Sequence, residues 1–376
     1  MGRKIVDWLV KNIILPRYKN IKNPGFIIIS LKSQKGKDVF IRQVLFPENL
    51  VRDIETRIEQ NKCENVTELY NIGVSLGWNF AKMFSIPSIE SDTRKEVENY
   101  ARFTSKWNFS TWTKDTQLKE LDLDNKRIEF EFDQHIVCRH NGKGYIITEG
   151  AEAGVGKYLF CDETIETVQL KCQGRNDEKC ETLWATRDDL KKNNIEYKEG
   201  KVLYEIKDFS KEKKFNTIQK AKYSNKSTYN MLQSRIFNFD GNLITYKNQV
   251  FFDCAVLLYY LMELILQKDN ESREIVYQLS FDYGKKIAED ENSSYIPQLL
   301  AALGWGDTLI TQEDDKISVH IFYFPWCSII NEGVEFLLFR GLLSGMLSST
   351  LHRKIDLKIP EIIEKKDYVV MKFKEQ

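Results

Sequence analysis

The chain has 376 residues and carries 55 Lys+Arg against 55 Asp+Glu, a formal net charge of zero at pH 7. That balance excludes a general polyanion binder, whose affinity needs surplus cations facing phosphates, so no nucleic-acid partner is expected. The length predicts two domains, and 42% hydrophobic with 29% charged residues is a globular mixture rather than a disordered one.

The N-terminus opens with Arg3 and Lys4 and then turns apolar, but Asp7 and Lys11 interrupt it before it becomes a signal sequence. It reads as a helix over 1–22 that either docks on the body or rests on a membrane surface. Phe26 to Ser30 and Val39 to Val44 are β-rich runs around Gly36, a hairpin signal. A helix follows from Pro47 to Gln60, with Leu50, Val51, Ile54 and Ile58 on one stripe. Then comes Tyr70-x6-Gly77-x3-Ala81 in a helical apolar pattern, with Ile86-Pro87 opening a further helical stretch. Arg127 to Phe132 alternates like a strand and ends at Cys138, and Gly150-x3-Gly154 lies on a later helix.

These landmarks return in the same order. Tyr277-x6-Gly284-x3-Ala288 answers the first, Lys316 to Ile321 ending at Cys327 the second, and Gly341-x3-Gly345 the third. Leu243 to Tyr246 takes the part of the hairpin and Phe251 to Gln267 that of the first helix, while Ile296-Pro297 opens another. The apolar run Val250 to Leu266 is interrupted by Asp253 and Glu263 and is shorter than the ~20 residues a bilayer crossing needs; it reads as a buried helix, and no transmembrane segment is expected. Between the copies lies a Lys-rich linker over 186–235, densest from Lys207 to Lys226 and mixed with Phe209, Phe215 and Tyr223. The expected organisation is an N-terminal helix (1–22), a first domain (23–185), the linker, and a second domain (236–376). Each domain is α+β with an antiparallel sheet. Two copies of one unit in one chain are expected to pair about a pseudo-two-fold axis, each keeping its own sheet.

Gly341-Leu342-Leu343-Ser344-Gly345-Met346-Leu347-Ser348 resembles the glycine-spaced helix of the 4-vinyl reductase (4VR) domain, and Leu303-Gly304-Trp305-Gly306 resembles that family's Gly-Trp-Gly turn. In the first copy, Val168-Gln169-Leu170-Lys171-Cys172 leading through Gly174 to Cys180 and Leu183-Trp184 is similar to the end of the same domain. The resemblance spans about 23–185 and 236–374. It implies a fold shared with the small subunits of the TRAPP tethering complex and a habit of dimerising. Family members include ligand-sensing modules of aromatic-responsive bacterial activators and proteins of chlorophyll biosynthesis. A glutamate three residues before the first cysteine of a Cys-x7-Cys spacing commonly helps bind zinc there, together with an upstream cysteine. This chain has Gln169 in place of the glutamate, no cysteine near Tyr145, and no cysteine between Ile355 and Phe373.

If zinc is bound, it is expected in the first domain only, with Cys172 and Cys180 as ligands and Cys161 the nearest third, backed by Glu166 or Glu178 as oxygen donors. The alternative is that these are thiols left after loss of a site. Seven cysteines in all, with no signal peptide, favour reduced thiols in the cytoplasm over disulfides. The histidines (His135, His140, His320, His352) are scattered, and no phosphate loop, His-Glu-x-x-His or nucleophile elbow is present.

The chain is thus expected to be a non-catalytic binder or sensor of a small apolar molecule or lipid, acting through a homodimer or a protein partner. The alternative is a TRAPP-like scaffold or tether. Glycines four apart share a helix face and let a flat ligand or another backbone approach. The ligand is expected in the second domain against Gly341, Gly345, Met346, Trp305 and Phe324, since Glu149, Glu152 and Lys157 make the first copy's glycine helix more polar.

Overall fold

The computed structural model describes residues 19–32, 36, 38–61, 64–104, 112–139, 146–206, 220–240, 243–313, 316–325, 333–365 and 368–376. The N-terminal helix expected up to residue 18, and residues 207–219 of the Lys-rich linker, lie outside these. Where the helix was expected to run on to residue 22, Lys19–Asn20 is a short strand instead.

The fold is α+β, with strands pairing antiparallel throughout the registers that are defined. In chain order the elements are β1 (Lys19–Asn20), β2 (Ile27–Lys32), β3 (Asp38–Pro47), α1 (Glu48–Asn61), α2 (Glu64–Phe84), α3 (Arg94–Thr104), β4 (Asp115–Asp122), β5 (Arg127–Asp133), α4 (Ile146–Phe160), β6 (Ile165–Lys171) and β7 (Cys180–Thr186). After two short helices, α5 (Arg187–Lys192) and α6 (Thr228–Gln233), come β8 (Asn238–Asp240), β9 (Leu243–Tyr246), β10 (Gln249–Ala255), α7 (Val256–Leu266), α8 (Asn270–Ile287), α9 (Tyr295–Ala302), β11 (Asp307–Glu313), β12 (Lys316–Phe322), α10 (Leu337–Thr350), β13 (Glu361–Glu364) and β14 (Val369–Lys374). The run from β1 to β7 and the run from β8 to β14 follow one order: three strands, three helices, two strands, one helix, two strands.

Two compact units form, and they do not coincide with the halves of the sequence. One unit comprises Met1–Leu31, Phe40–Ile54 and Asp208–Gln376; the other comprises Lys32–Val39 and Glu55–Lys207. Phe40–Ile54, which holds most of β3, falls with Asp208–Gln376 rather than with Glu55–Lys207. β3 pairs antiparallel with β10 (Phe252 opposite Phe46, Cys254 opposite Val44), giving one six-stranded sheet in the order β1-β2-β3-β10-β9-β8. That corrects the expectation of a separate sheet for each copy. Paired to β10, β3 has a neighbour on each flank, so its backbone polar groups are not left on a long open edge.

The apolar run Val250 to Leu266 is also corrected: its first part is β10, and only Val256–Leu266 is helical. Phe251, Phe252 and Cys254 suit a strand buried on both faces, where periodicity alone cannot distinguish strand from helix. Among the described residues no helix is long and apolar enough to cross a membrane.

In the larger unit a four-stranded sheet runs β11-β12-β14-β13. Its helices α8 and α10 cross at glycines: a Cβ on Gly345 would lie 2.0 Å from the Phe281 carbonyl oxygen, and one on Gly284 2.1 Å from that of Leu342. Glu263 of α7 accepts the backbone N–H groups of Leu337 (2.7 Å) and Leu338 (2.6 Å), so it caps α10, whose own N-cap residue, Phe336, offers no side-chain cap. Asp307, buried at the start of β11, accepts the consecutive N–H groups of Lys222 (2.6 Å), Tyr223 and Ser224 (2.8 Å), fixing where the chain re-enters this unit.

In the smaller unit the sheet runs β4-β5-β7-β6, the same topology. Helices α2 and α4 cross the same way, with Gly77 facing the Ala151 carbonyl and Gly150 that of Tyr70. Glu55 of α1 accepts the Ile147 N–H at the start of α4 (3.1 Å), as Glu263 does for α10. After α5 the chain runs along α2, held by a ladder of side chains one helical turn apart. Asn71 accepts from Lys201 N–H, Ser75 from Leu203 N–H and Asn79 from Ile206 N–H. Beneath it lies a closed ionic network. The Glu166 carboxylate, fully buried, accepts from Lys157 Nζ (3.0 Å), from Arg187 Nη2 (2.7 Å), from the Gly200 N–H (3.1 Å) and from the Tyr70 hydroxyl (3.1 Å). Both oxygens of this carboxylate accept hydrogen bonds, as a buried charge requires.

A buried three-thiol cluster in the smaller unit

The last turn of β5 leads into a tight reversal. Gln134 (φ +51°) and Val137 (φ +63°) both take the left-handed conformation. For a β-branched residue such as Val137 that conformation is strained, on the order of 1–3 kcal/mol, and persists only where surrounding contacts impose it. The turn is held by the Ile136 N–H to the Trp112 carbonyl (2.6 Å) and the Cys138 N–H to the Ile136 carbonyl (2.7 Å).

Facing this turn is the connection between β6 and β7. It winds through a 3-10 turn, Gln173–Arg175, closed by the Arg175 N–H to the Cys172 carbonyl (2.8 Å) and by the Cys172 N–H to Asp177 Oδ2 (2.8 Å). Gln173 joins the two: its Nε2 donates to Asp133 Oδ1 (3.1 Å) and to the Glu178 carbonyl (3.0 Å), while its Oε1 accepts the Gln134 N–H. Cys138 from the first turn thereby meets Cys172 and Cys180 from the second. The three sulfurs lie within 4.8 Å of one another, and all three residues are buried.

Three thiols this close share their protons unevenly. Cys172, to which the Cys138 and Cys180 thiols donate and which the N–H groups of Gly174 and Arg175 also reach, is held far below the usual thiol range. Cys138, beside the Cys172 and Cys180 sulfurs and desolvated by burial, is pushed far above it. The Gln173 N–H approaches Cys180 Sγ at 3.4 Å. His135 is buried, its Nδ1 4.0 Å from Cys138 Sγ, and burial with Arg139 beside it holds the imidazole down to about 4, so it is neutral at pH 7.

Of the expected metal ligands, Cys172 and Cys180 are brought together, and Cys161 is not part of the cluster. It sits exposed in the turn after α4, bonded to the Tyr158 carbonyl. The third thiol is Cys138, 34 residues upstream of Cys172. The expected upstream position lies near Tyr145 and does not include Cys138. Glu166 is committed to its ion pairs and is no ligand either.

The expected ligand face of the second domain is filled. The Gly341 and Gly345 faces are occupied by the α8 backbone at Tyr277 and Phe281. Trp305, Phe324 and Met346 are fully buried, with Trp305 against Tyr259 (ring centroids 4.9 Å apart), Phe339 (4.6 Å) and Phe324 (5.9 Å). These aromatics form core packing.

Beneath α4 the smaller unit is different. Gln169, Thr182 and Phe130 lie in one row across the sheet, with Thr167, Trp184 and Ile128 in the next. Glu152 bonds the Trp184 indole N–H at 2.8 Å and is pushed up to about 7 by desolvation. Glu149 accepts the Gln169 N–H (3.2 Å) and Lys198 Nζ (2.8 Å). Thr148 Oγ1, Thr167 Oγ1 and Gln169 Oε1 are buried with no hydrogen-bond partner in the protein.

No family model matches the chain, and no curated protein does. Among solved structures, the phenol-responsive sensory domain of the transcription activator PoxR, determined with phenol, is similar at a TM-score of 0.31 and 14% identity, over 48% of this chain and 92% of that one.

Proposed function

We propose that this chain is a non-catalytic small-molecule-binding protein built from two 4VR-type copies, the first of which is stapled by a thiolate-bound metal and holds the ligand. The observation that carries this reading is the interior beneath α4. Buried hydroxyl and amide atoms without partners cost about 1–3 kcal/mol each unless a bound molecule or water satisfies them. Here Thr148, Thr167 and Gln169 offer such atoms on facing elements, beside the Glu152 carboxyl and the Phe130 and Trp184 rings. A ligand suited to that interior has a hydrogen-bonding head and a flat apolar body. The recurring element order, the two sheets of identical topology and the glutamate cap on each glycine helix support the two-copy reading.

The donor set suits zinc: three thiols converging within 4.8 Å, backbone N–H groups aimed at two of the sulfurs, and a neutral imidazole alongside. Bound there, the ion would tie the β6–β7 connection to the turn after β5, at one end of the ligand-facing sheet. The signal would leave through a homodimer or a protein partner, and the free thiols suit the cytoplasm.

The test is native mass spectrometry and elemental analysis of the full chain purified without chelator. One zinc per chain is expected, together with a small organic molecule whose occupancy falls in Thr167→Val. Protein that carries zinc but never a small molecule, from any source tried, would overturn the binding reading. Zinc retained after Cys138→Ser plus Cys172→Ser would overturn the metal site.

A further inference from the structure

The two four-stranded sheets treat their last strand in opposite ways. In the smaller unit that edge is β6, and the backbone groups on its free side have partners. The Ile165 N–H donates to the Asp162 carbonyl (3.3 Å), the Tyr70 hydroxyl accepts the Thr167 N–H (3.0 Å), and Glu149 accepts that of Gln169 (3.2 Å). Arg175 Nη2 donates to the Gln169 carbonyl (3.4 Å). Side chains close this edge to another strand.

In the larger unit the same place in the sheet belongs to β13. The Lys365 N–H donates to the Tyr368 carbonyl (2.8 Å), and the register sets Ile363 opposite Val370 and Glu361 opposite Lys372. Hydrogen bonding alternates along an antiparallel pair, so residues 361, 363 and 365 bond to β14. Ile362 and Glu364 therefore turn their N–H and C=O groups to the open edge, where none of the described residues meets them. Pro360, just before, has no N–H to offer. Ile359 and Ile362 are 53% and 38% exposed, two of only four large apolar side chains left exposed among the described residues.

We infer that β13 is a docking edge for β13 of a second copy of this chain, joining two sheets into one of eight strands about a two-fold axis. The inference rests on the homodimer named above and says where it forms. With Ile363 opposite Ile363, Ile362 of each copy exchanges both backbone bonds with Glu364 of the other. That makes four bonds and uses every outward group. On the same face as the Ile363 pair, Glu361 of each copy then lies opposite Lys365 of the other. Ile363 also ends the row Phe322–Val370–Ile363 across the sheet, so that row continues over the axis. The neighbouring registers lose these gains. Ile362 opposite Ile362 leaves the Glu364 carbonyls without donors, because Pro360 supplies none, and Glu364 opposite Glu364 sets like charges together. Short charged edge strands resist pairing in general; these charges oppose the wrong registers and admit one.

The test uses the full chain in sedimentation velocity over a concentration series, with amide exchange in 359–365 as the local readout. The parent is expected to dimerise, and exchange at Ile362 and Glu364 to slow as concentration rises. Glu364→Pro removes an N–H that β14 does not use, so circular dichroism should be unchanged while the dimer is lost. Glu361→Lys should weaken dimerisation about tenfold by setting lysine against lysine twice, and adding Lys365→Glu should restore it. Ile363→Cys should be trapped as a covalent dimer by mild oxidation, beyond any seen in the parent, since Cα atoms of such a pair stand ~4.5 Å apart, within disulfide reach. A dimer that survives in folded Glu364→Pro, or no recovery in the doubly reversed variant, would overturn this edge and leave the homodimer standing. A parent that stays monomeric at every concentration would overturn the homodimer as well; the small-molecule reading depends on neither.

Discussion

Replacing Gly345 with alanine turns the helix-crossing geometry into a measurable sign. On an exposed helix, Gly→Ala is stabilising by up to about 1 kcal/mol, because alanine loses less backbone freedom. At position 345 the new Cβ would sit 2.0 Å from the Phe281 carbonyl oxygen and 2.9 Å from Lys285 N, both backbone atoms of α8 that no rotamer change can move. An ordinary contact needs more than ~3 Å, so α8 and α10 must part by roughly 1 Å. A gap of that size forfeits a quarter to a half of the dispersion well of each facing atom pair. Overpacking of this kind costs about 1–3 kcal/mol, and rigid obstruction puts this site at the upper end. Net destabilisation of about 2 kcal/mol is expected from urea unfolding followed by circular dichroism, with faster amide exchange in 337–350 as the local readout. Gly345→Ala that is neutral or more stable than the parent would refute the close-packed crossing and reopen that helix face to a ligand.

Two further outcomes test the buried charges. Burial pushes Glu263 up to about 8 even though the N–H groups of Leu337 and Leu338 pull it down. The folded chain therefore keeps a proton that the unfolded chain has lost between about 4.5 and 8, and stability should fall as pH rises through that window. In Glu263→Gln the fall should be shallower, with a cost of about 1–3 kcal/mol at pH 5, where one amide oxygen must serve two N–H groups; equal slopes in the two proteins would contradict this. Glu166→Leu should cost about 3–5 kcal/mol because it strands the fully buried Lys157, and adding Lys157→Met should recover part of that. Strictly additive losses in the double variant would show that the two charges are not coupled.

What depends on near neighbours could be read from the residues alone. Periodicity and turn residues were enough for an α+β chain, for strands near Arg127 and Lys316, and for a helix after Pro47 that the structure has as Glu48–Asn61. The glycine spacings marked helix faces that something must approach closely. They were silent on what approaches, because a spacing specifies one face and never its opposite; the α8 backbone at Phe281, rather than a ligand, was decided by tertiary packing. The pairing of β3 with β10 joins residues some two hundred positions apart, and no local pattern encodes it. The thiol cluster divides the same way. Cys172 and Cys180 flank one short turn and could be paired by spacing, whereas Cys138 arrives from another turn through Gln173. Local spacing sets which side chains share a turn or a face. Which turns and faces meet is set by hydrogen bonds and burial between distant segments, and those exist only once the chain has folded.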